Sequence, residues 1–241
     1  MKVLLLGGNG YMGPHVVKAI ENEHTLRITD TTPIESPHET RVVDVADIEQ
    51  VRRAAEGMDA IINLSVLRHD RKLAFDVSTR GTYNTMQVAA EQGIDRIINT
   101  GPHFTLAGQT YEDYDFGISP DIPPHPGTNL YALTKSLGQE ICRVFTVNYP
   151  LHVLTLLFLT FLDHDDQRQG TDLHPFTVSW RDCGESFRCA LAADLGAMPS
   201  RCECFFIVAD LPHDWVSNEK AKRLLGFQPR DNFEAVWQKK G

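Results

Sequence analysis

Met1-Lys-Val-Leu-Leu-Leu-Gly-Gly-Asn-Gly-Tyr-Met-Gly13 is a short apolar run that breaks into glycines at 7, 8, 10 and 13, and a helical pattern follows from Pro14. Gly8, Gly10 and Gly13 read as G-x-G-x-x-G; Gly7, Gly10 and Gly13 read as the wider G-x-x-G-x-x-G. Glycines so placed let the backbone turn sharply, approach a pyrophosphate and bring the next helix close to its strand. The helix N-terminus then offers free N–H groups and a positive dipole end to the phosphates, with Tyr11 and Met12 on the turn between. Glycine-rich turns are common, so context must sharpen the reading. Leu26-Arg-Ile-Thr-Asp30 supplies it: a second strand ends in an acid 20 residues after Gly10, where a carboxylate meets the adenosine ribose hydroxyls. The stretch reads as a dinucleotide site. No Arg at 31 or 32 offsets Asp30, which favours NAD over a cofactor with a 2′-phosphate.

Outward from this stretch, strand-like runs at 2–7, 26–30, 41–44, 60–65, 95–100 and 152–160 alternate with helical patterns near 13–22, 47–57, 72–93 and 129–148. The strands are rich in Val, Ile and Leu with little alternation, as in a parallel sheet buried on both faces. The expected fold is α/β, a doubly wound parallel sheet of the Rossmann type. Asp47-Ile-Glu-Gln50 has the form of a capped helix start. After Asp163 the chain turns polar, then offers a helix at 181–194, a strand at 204–209 and a helix at 217–225. The organisation expected is a dinucleotide-binding core over 1–162 and a small substrate lobe or lid over 163–241, integrated in one domain.

With 241 residues, the chain supports one sizeable core. A net charge of −9 argues against nucleic acid or an anionic membrane as partner, and no apolar run is long enough to span a bilayer. The first strand begins at Lys2, which makes a cytoplasmic location the expectation. Cys142, Cys183, Cys189, Cys202 and Cys204 form no C-x-x-C pair and read as free thiols. Cys202-Glu-Cys204 reads as same-face strand neighbours and His164-Asp-Asp166 as a solvated loop, so no metal is expected.

Chemistry points to Tyr131-Ala-Leu-Thr-Lys135, which opens a helix after the Pro-rich loop from Pro120 to Pro126. Tyr and Lys at i and i+4 share a helix face. The ammonium favours the phenolate, so the phenol can exchange a proton with a substrate oxygen. Arg68, His69 and Arg71 follow the fourth strand at the carboxyl edge of the sheet, either near a substrate anion or as a solvated charge run. Trp180 and Trp215 read as packing residues.

In these landmarks the chain resembles the extended short-chain dehydrogenase/reductase family, the nicotinamide-dependent sugar epimerases, dehydratases and dehydrogenases. Further landmarks are Asp44-Val-Ala-Asp47, Asn63-Leu-Ser65, Gly81-Thr-Tyr-Asn84, Arg96-Ile-Ile-Asn-Thr100 and the segment Asn218 to Pro229. Leu26–Ile34, Pro120–Lys135 and Pro229–Glu234 most resemble the uronate dehydrogenases within it. The resemblance implies that Asp44 and Val45 border the adenine, that Leu64 and Ser65 line the cofactor, and that Lys135 also holds the nicotinamide ribose. It also implies a homodimer through the helices at 72–93 and 129–148, with Ile141, Val144 and Phe145 as contact candidates. The departures concern the substrate end. The family's Ser or Thr at the end of the fifth strand aligns with Gly101; Thr100 or His103 is the candidate replacement. Ser78 stands where many relatives carry Asn. An Arg for a sugar carboxylate is met by Arg168 only across a gap, the ungapped position being Asp172.

Three functions remain open on these residues. The first is an NAD-dependent dehydrogenase of a sugar or sugar-acid hydroxyl. The second is a nucleotide-sugar epimerase or dehydratase, against which the short segment after Asp163 counts. The third is a non-catalytic NAD sensor, which the missing serine favours and the Tyr131/Lys135 pair opposes.

Overall fold

The computed structural model describes residues 1–67, 70–108, 117–165 and 173–239. A seven-stranded, wholly parallel sheet runs in the order β3-β2-β1-β4-β5-β6-β9. Its strands are β1 (Lys2–Leu6), β2 (Thr25–Asp30), β3 (Glu39–Val42), β4 (Ala60–Asn63), β5 (Arg96–Pro102), β6 (His152–Phe158) and β9 (Cys202–Phe206). The reversal of order between β1 and β4 opens the crevice where a doubly wound sheet takes its ligand.

Both faces of the sheet are covered, which explains the near-continuous apolar strands. Val3, Leu5, Ile62, Ile98 and Leu154 pack against α1 (Gly13–Ile20), α7 (Trp180–Ala192) and α8 (Glu219–Leu225). Their neighbours Leu4, Leu6, Ile61, Ile97 and Val153 pack against α2 (Ile48–Ala55), α4 (Gly81–Gln92) and α6 (Leu130–Asn148). The period of two along each strand thus divides residues between two cores rather than between core and water. Asp47 caps α2 as its sequence suggested, accepting from Glu49 N and Gln50 N.

Several boundaries differ from expectation. The run read as one strand over 152–160 ends at Phe158, and β7 (Thr160–Leu162) leaves to pair with the unanticipated β8 (Thr177–Ser179) in a separate two-stranded sheet. The 72–93 helix is interrupted: α3 (Arg71–Phe75) passes through a π-helical turn at Asp76–Arg80 before α4 begins. A four-residue α5 (Phe104–Ala107) follows β5. After Asp163 the chain returns to the main layers: β9 pairs with β6, and α7 lies on the same layer as α1. Apolar strand residues seek the nearest open sheet edge, and here that edge is β6.

Candidate functional site

Gly7 leaves β1 with φ at 78°, in the region glycine enters without strain, and a Cβ there would lie 2.9 Å from Ser65 N and Cα. Gly8 N donates to Thr29 O at 2.8 Å, tying the loop to β2. A Cβ on Gly13 would stand 1.8 Å from Gly8 O, so only glycine lets α1 start this close to the turn. Asp30 closes β2 beside this loop. One carboxylate oxygen accepts from Asn9 N at 3.0 Å and the other from Thr31 N at 2.8 Å. Four lone-pair sites leave capacity for ribose hydroxyls. In the first turn of α1, Gly13 N donates to Gly10 O and His15 N and Val16 N to Met12 O, and Pro14 carries no N–H, so the helix offers an anion here chiefly the positive end of its dipole.

The next loops complete the cradle. Asp44 accepts from Ala46 N at 2.9 Å, and Val45 O accepts from Asn84 Nδ2 at 2.8 Å, which fixes the β3–α2 connection against α4. Leu64 N donates to Leu6 O and Ser65 N to Asn63 Oδ1, holding the end of β4 at the mouth of the cleft. The Ser65 hydroxyl is buried and finds no partner among the described residues. An orphaned hydroxyl, a Cβ-free approach at Gly7 and an acid at the end of β2 fit a dinucleotide with its polar groups along this line.

The reacting end lies across a cleft of about 450 Å³ whose wall includes Met12, Leu64, Thr100, Tyr131 and Lys135. Asn129 caps α6 by accepting from Ala132 N at 3.0 Å, placing Tyr131 and Lys135 on its first two turns. Lys135 is buried, and its Nζ donates to Ser65 O at 2.8 Å, joining α6 to the loop that follows β4. The Tyr131 ring meets Phe104 edge-on at 5.8 Å.

The candidate replacements for the absent serine fare differently. Thr100 lines the cleft, but its hydroxyl donates to Asn63 O at 2.9 Å, so its single proton is spent across the sheet. His103 is buried against Phe104, Phe176 and His174 rather than on the cleft wall. Burial and the neighbouring His174 push its pKa down to about 3, so the ring is neutral near pH 7. Gly101 lies on the cleft wall, but a Cβ there would point into the α6 packing, meeting Gln139 Nε2 at 2.7 Å and Leu157 Cδ2 at 3.1 Å. Gln139 Nε2 donates to Thr105 Oγ1, which donates to Pro102 O, and this chain braces the turn after β5. Arg68, His69, Asp166, Arg168 and Asp172 lie outside the described residues. Arg71 is exposed at the start of α3, His164 is solvated, and no group of three metal-ligating side chains occurs among the described residues.

The sequence reading missed several wall residues: Val66 and Leu67 after β4, Pro102 and Phe104 after β5, and Leu159 and Phe161 after β6. Phe161 is backed by Trp180, which is stacked in turn on His15. No spacing rule joins positions 15, 161 and 180. A second cavity of about 510 Å³ lies on the other flank of α6, over the buried Lys220–Glu203 ion pair at 2.6 Å. Neither Tyr131 nor the glycine loop reaches it.

Comparison with known proteins agrees with this geometry. The sequence profile of the NAD dependent epimerase/dehydratase family matches residues 3–167. An NAD-dependent glucose-6-phosphate dehydrogenase of Haloferax volcanii is 23% identical over 258 residues, covering 95% of this chain and 93% of that protein. Uronate dehydrogenase from Agrobacterium tumefaciens superimposes with a TM-score of 0.81 at 19% identity, covering 97% of this chain and 86% of the other. UDP-glucuronic acid 4-epimerase from Bacillus cereus, solved with NAD, gives 0.76 at 17% identity over 98% and 97% of the two chains. The match spans more than half of the sequence, and the chain belongs to the NAD dependent epimerase/dehydratase family, as an NAD-dependent enzyme.

Proposed function

We propose that the protein is a cytoplasmic, homodimeric dehydrogenase that oxidises a hydroxyl of a free sugar or sugar acid. The observation that carries this reading is the buried Lys135, bonded to the Ser65 carbonyl, with Tyr131 one turn above it on the same cleft. Bound NAD supplies the hydride acceptor. Tyr131 takes the hydroxyl proton, and Lys135 places positive charge beside it while fixing its helix against the loop that holds the cofactor. The Thr100 proton is committed to Asn63 O and His103 is buried, which leaves Tyr131 as the proton-handling group on the described wall. Thr100 retains lone pairs with which to accept from a substrate hydroxyl.

Sugar-type substrates are supported by the relatives: a glucose-6-phosphate dehydrogenase across nearly the full chain, and a uronate dehydrogenase of Pseudomonas syringae pv. tomato at 24% identity over 64% of it. The homodimer is supported by apolar side chains left in water on α4 and α6, Tyr83, Leu137 and the expected Val144, whereas Phe145 is buried in the core and Ile141 packs against it. The cytoplasm is supported by free, largely buried thiols, and no helix among the described residues is long and apolar enough to cross a membrane.

A panel of free sugars, uronic acids and sugar phosphates, incubated with excess NAD, tests the reading by absorbance of the reduced cofactor. Continuous accumulation with one member is expected. Interconversion of a nucleotide-sugar without net reduction would replace it with an epimerase. Tight NAD binding with no reaction at all would make the protein a sensor.

A further inference from the structure

Three rings lie face to face between the phosphate-binding helix and the cleft. His15, in the first turn of α1, stacks on Trp180, the first residue of α7, with centroids 4.4 Å apart and planes 10° from parallel. Trp180 stacks on Phe161 of β7 at 4.3 Å and 7°. Phe161 ends the series on the cleft wall, in company with Met12 and Leu159. The stack is held from behind by a close helix crossing, because a Cβ on Gly184 would lie only 2.5 Å from His15 O. With one face of Phe161 taken by Trp180 and Phe158 tilted against it at 5.6 Å, the half-buried ring presents its remaining exposed surface on the cleft wall.

Two fixed points limit that occupant. The glycine loop and α1 hold the pyrophosphate at one end, and Tyr131 marks the reacting carbon at the other. The nicotinamide must bridge them, one ribose away from the phosphates. Planar rings pair well in offset stacks, and a cation over an aromatic face gains further electrostatic attraction. The oxidised nicotinamide is a planar cation; the reduced ring is neutral. Burial, helped by Lys18 and opposed by Asp163, holds His15 below its usual range, which favours a neutral ring at the far end of the stack.

We propose that Phe161, backed by Trp180 and His15, is the platform for the nicotinamide ring, and that it favours the oxidised over the reduced cofactor. The platform positions the ring, leaving its opposite face to the substrate and Tyr131. It also promotes release of the reduced cofactor after each turnover, as a dehydrogenase needs and an epimerase does not. The inference rests on the cofactor alone and is independent of the substrate.

The test uses equilibrium binding of NAD⁺, NADH and ADP-ribose, the last lacking the nicotinamide, to the wild-type chain and to Phe161→Leu, which keeps apolar bulk and removes the ring. The expected result is a preference for NAD⁺ over NADH that falls by about tenfold in Phe161→Leu, with ADP-ribose affinity unchanged and the preference kept in Phe161→Tyr. NAD⁺ should also quench Trp180 emission while ADP-ribose does not, and the quench should be lost in Trp180→Phe. Equal NAD⁺/NADH preference in the wild type and Phe161→Leu would overturn the proposal. So would a matching loss of ADP-ribose affinity, which would mark Phe161 as support for the fold.

Discussion

The two ends of the cleft are built by different means. At the phosphate end the backbone does the work: Gly7 turns, Gly13 admits the helix, and the ties are Gly8 N to Thr29 O and Asn9 N to Asp30. At the reacting end side chains decide: Tyr131, Lys135, Thr100 and the apolar wall beside them. Backbone geometry tolerates few residue types, so the first end is written in glycines at fixed intervals. Side-chain chemistry at the second end is set by residue choice rather than by backbone spacing, and Gly101, where the resembled family carries Ser or Thr, is the departure the sequence shows.

Four experiments would break or sharpen this contrast. Gly13→Ala puts a methyl carbon 1.8 Å from Gly8 O with backbone on both sides, and should cost at least about a thousandfold in NAD affinity, roughly 4 kcal/mol by calorimetry. Retained binding would mean that the turn yields more easily than its contacts imply. Tyr131→Phe should lower turnover by about 10²–10⁴ with NAD affinity unchanged, and a parallel loss of affinity would show that the two ends are not separable.

The third concerns His103, whose folded pKa lies near 3, well below the 6.5 of the unfolded chain. A base depressed in the folded state gives stability that is complete above pH 6.5 and is lost progressively as pH falls toward the folded value. About 2 kcal/mol should disappear between pH 6.5 and about pH 5, before most carboxylates titrate, and His103→Phe should remove that share of the slope in denaturant unfolding, leaving the part due to His15, His24, His152 and His213, which are depressed in the same direction. An unchanged slope would return His103 to the solvent-facing site. The smallest effect is expected for Gly101→Ser. It should cost about 1–2 kcal/mol by overpacking against Gln139, be relieved by Gln139→Ala, and leave turnover unimproved. A gain in rate would show that position 101 does face the substrate.

Most of the fold was legible because β1, β4, β5 and β6, buried on both faces, carry Val/Ile/Leu runs, and because α2 begins at a clear cap, Asp47. The split of β6 from β7 was not legible, since Leu159-Thr-Phe161 continues the same apolar pattern through the break. The π-helical turn at Asp76–Arg80 carries no composition signal either. At the candidate site, spacing and resemblance named Asp30, Ser65, Tyr131 and Lys135, which the structure places beside the glycine loop, under the Lys135 ammonium and on the cleft wall. The aromatic wall was not, because Phe161, Trp180 and His15 meet only through the packing of three separate elements. Similarly, nothing local tells Thr100 that its proton goes to Asn63 O, 37 residues away on the adjacent strand β4.

The last strand of the sheet has a consequence for how the molecule comes into being. β9 pairs its Cys202–Phe206 with Val153–Leu157 of β6, and α7 covers the face that α1 shares. Until about residue 206 leaves the ribosome, β6 has an unpaired edge and α1 lacks a neighbour, although the nucleotide-gripping turn was made almost two hundred residues earlier. Pairings that span such sequence distances are slow to form and leave sticky edges waiting. A nascent chain stalled before β9 should therefore depend on chaperones, and the dinucleotide can steady the fold only near the end of synthesis.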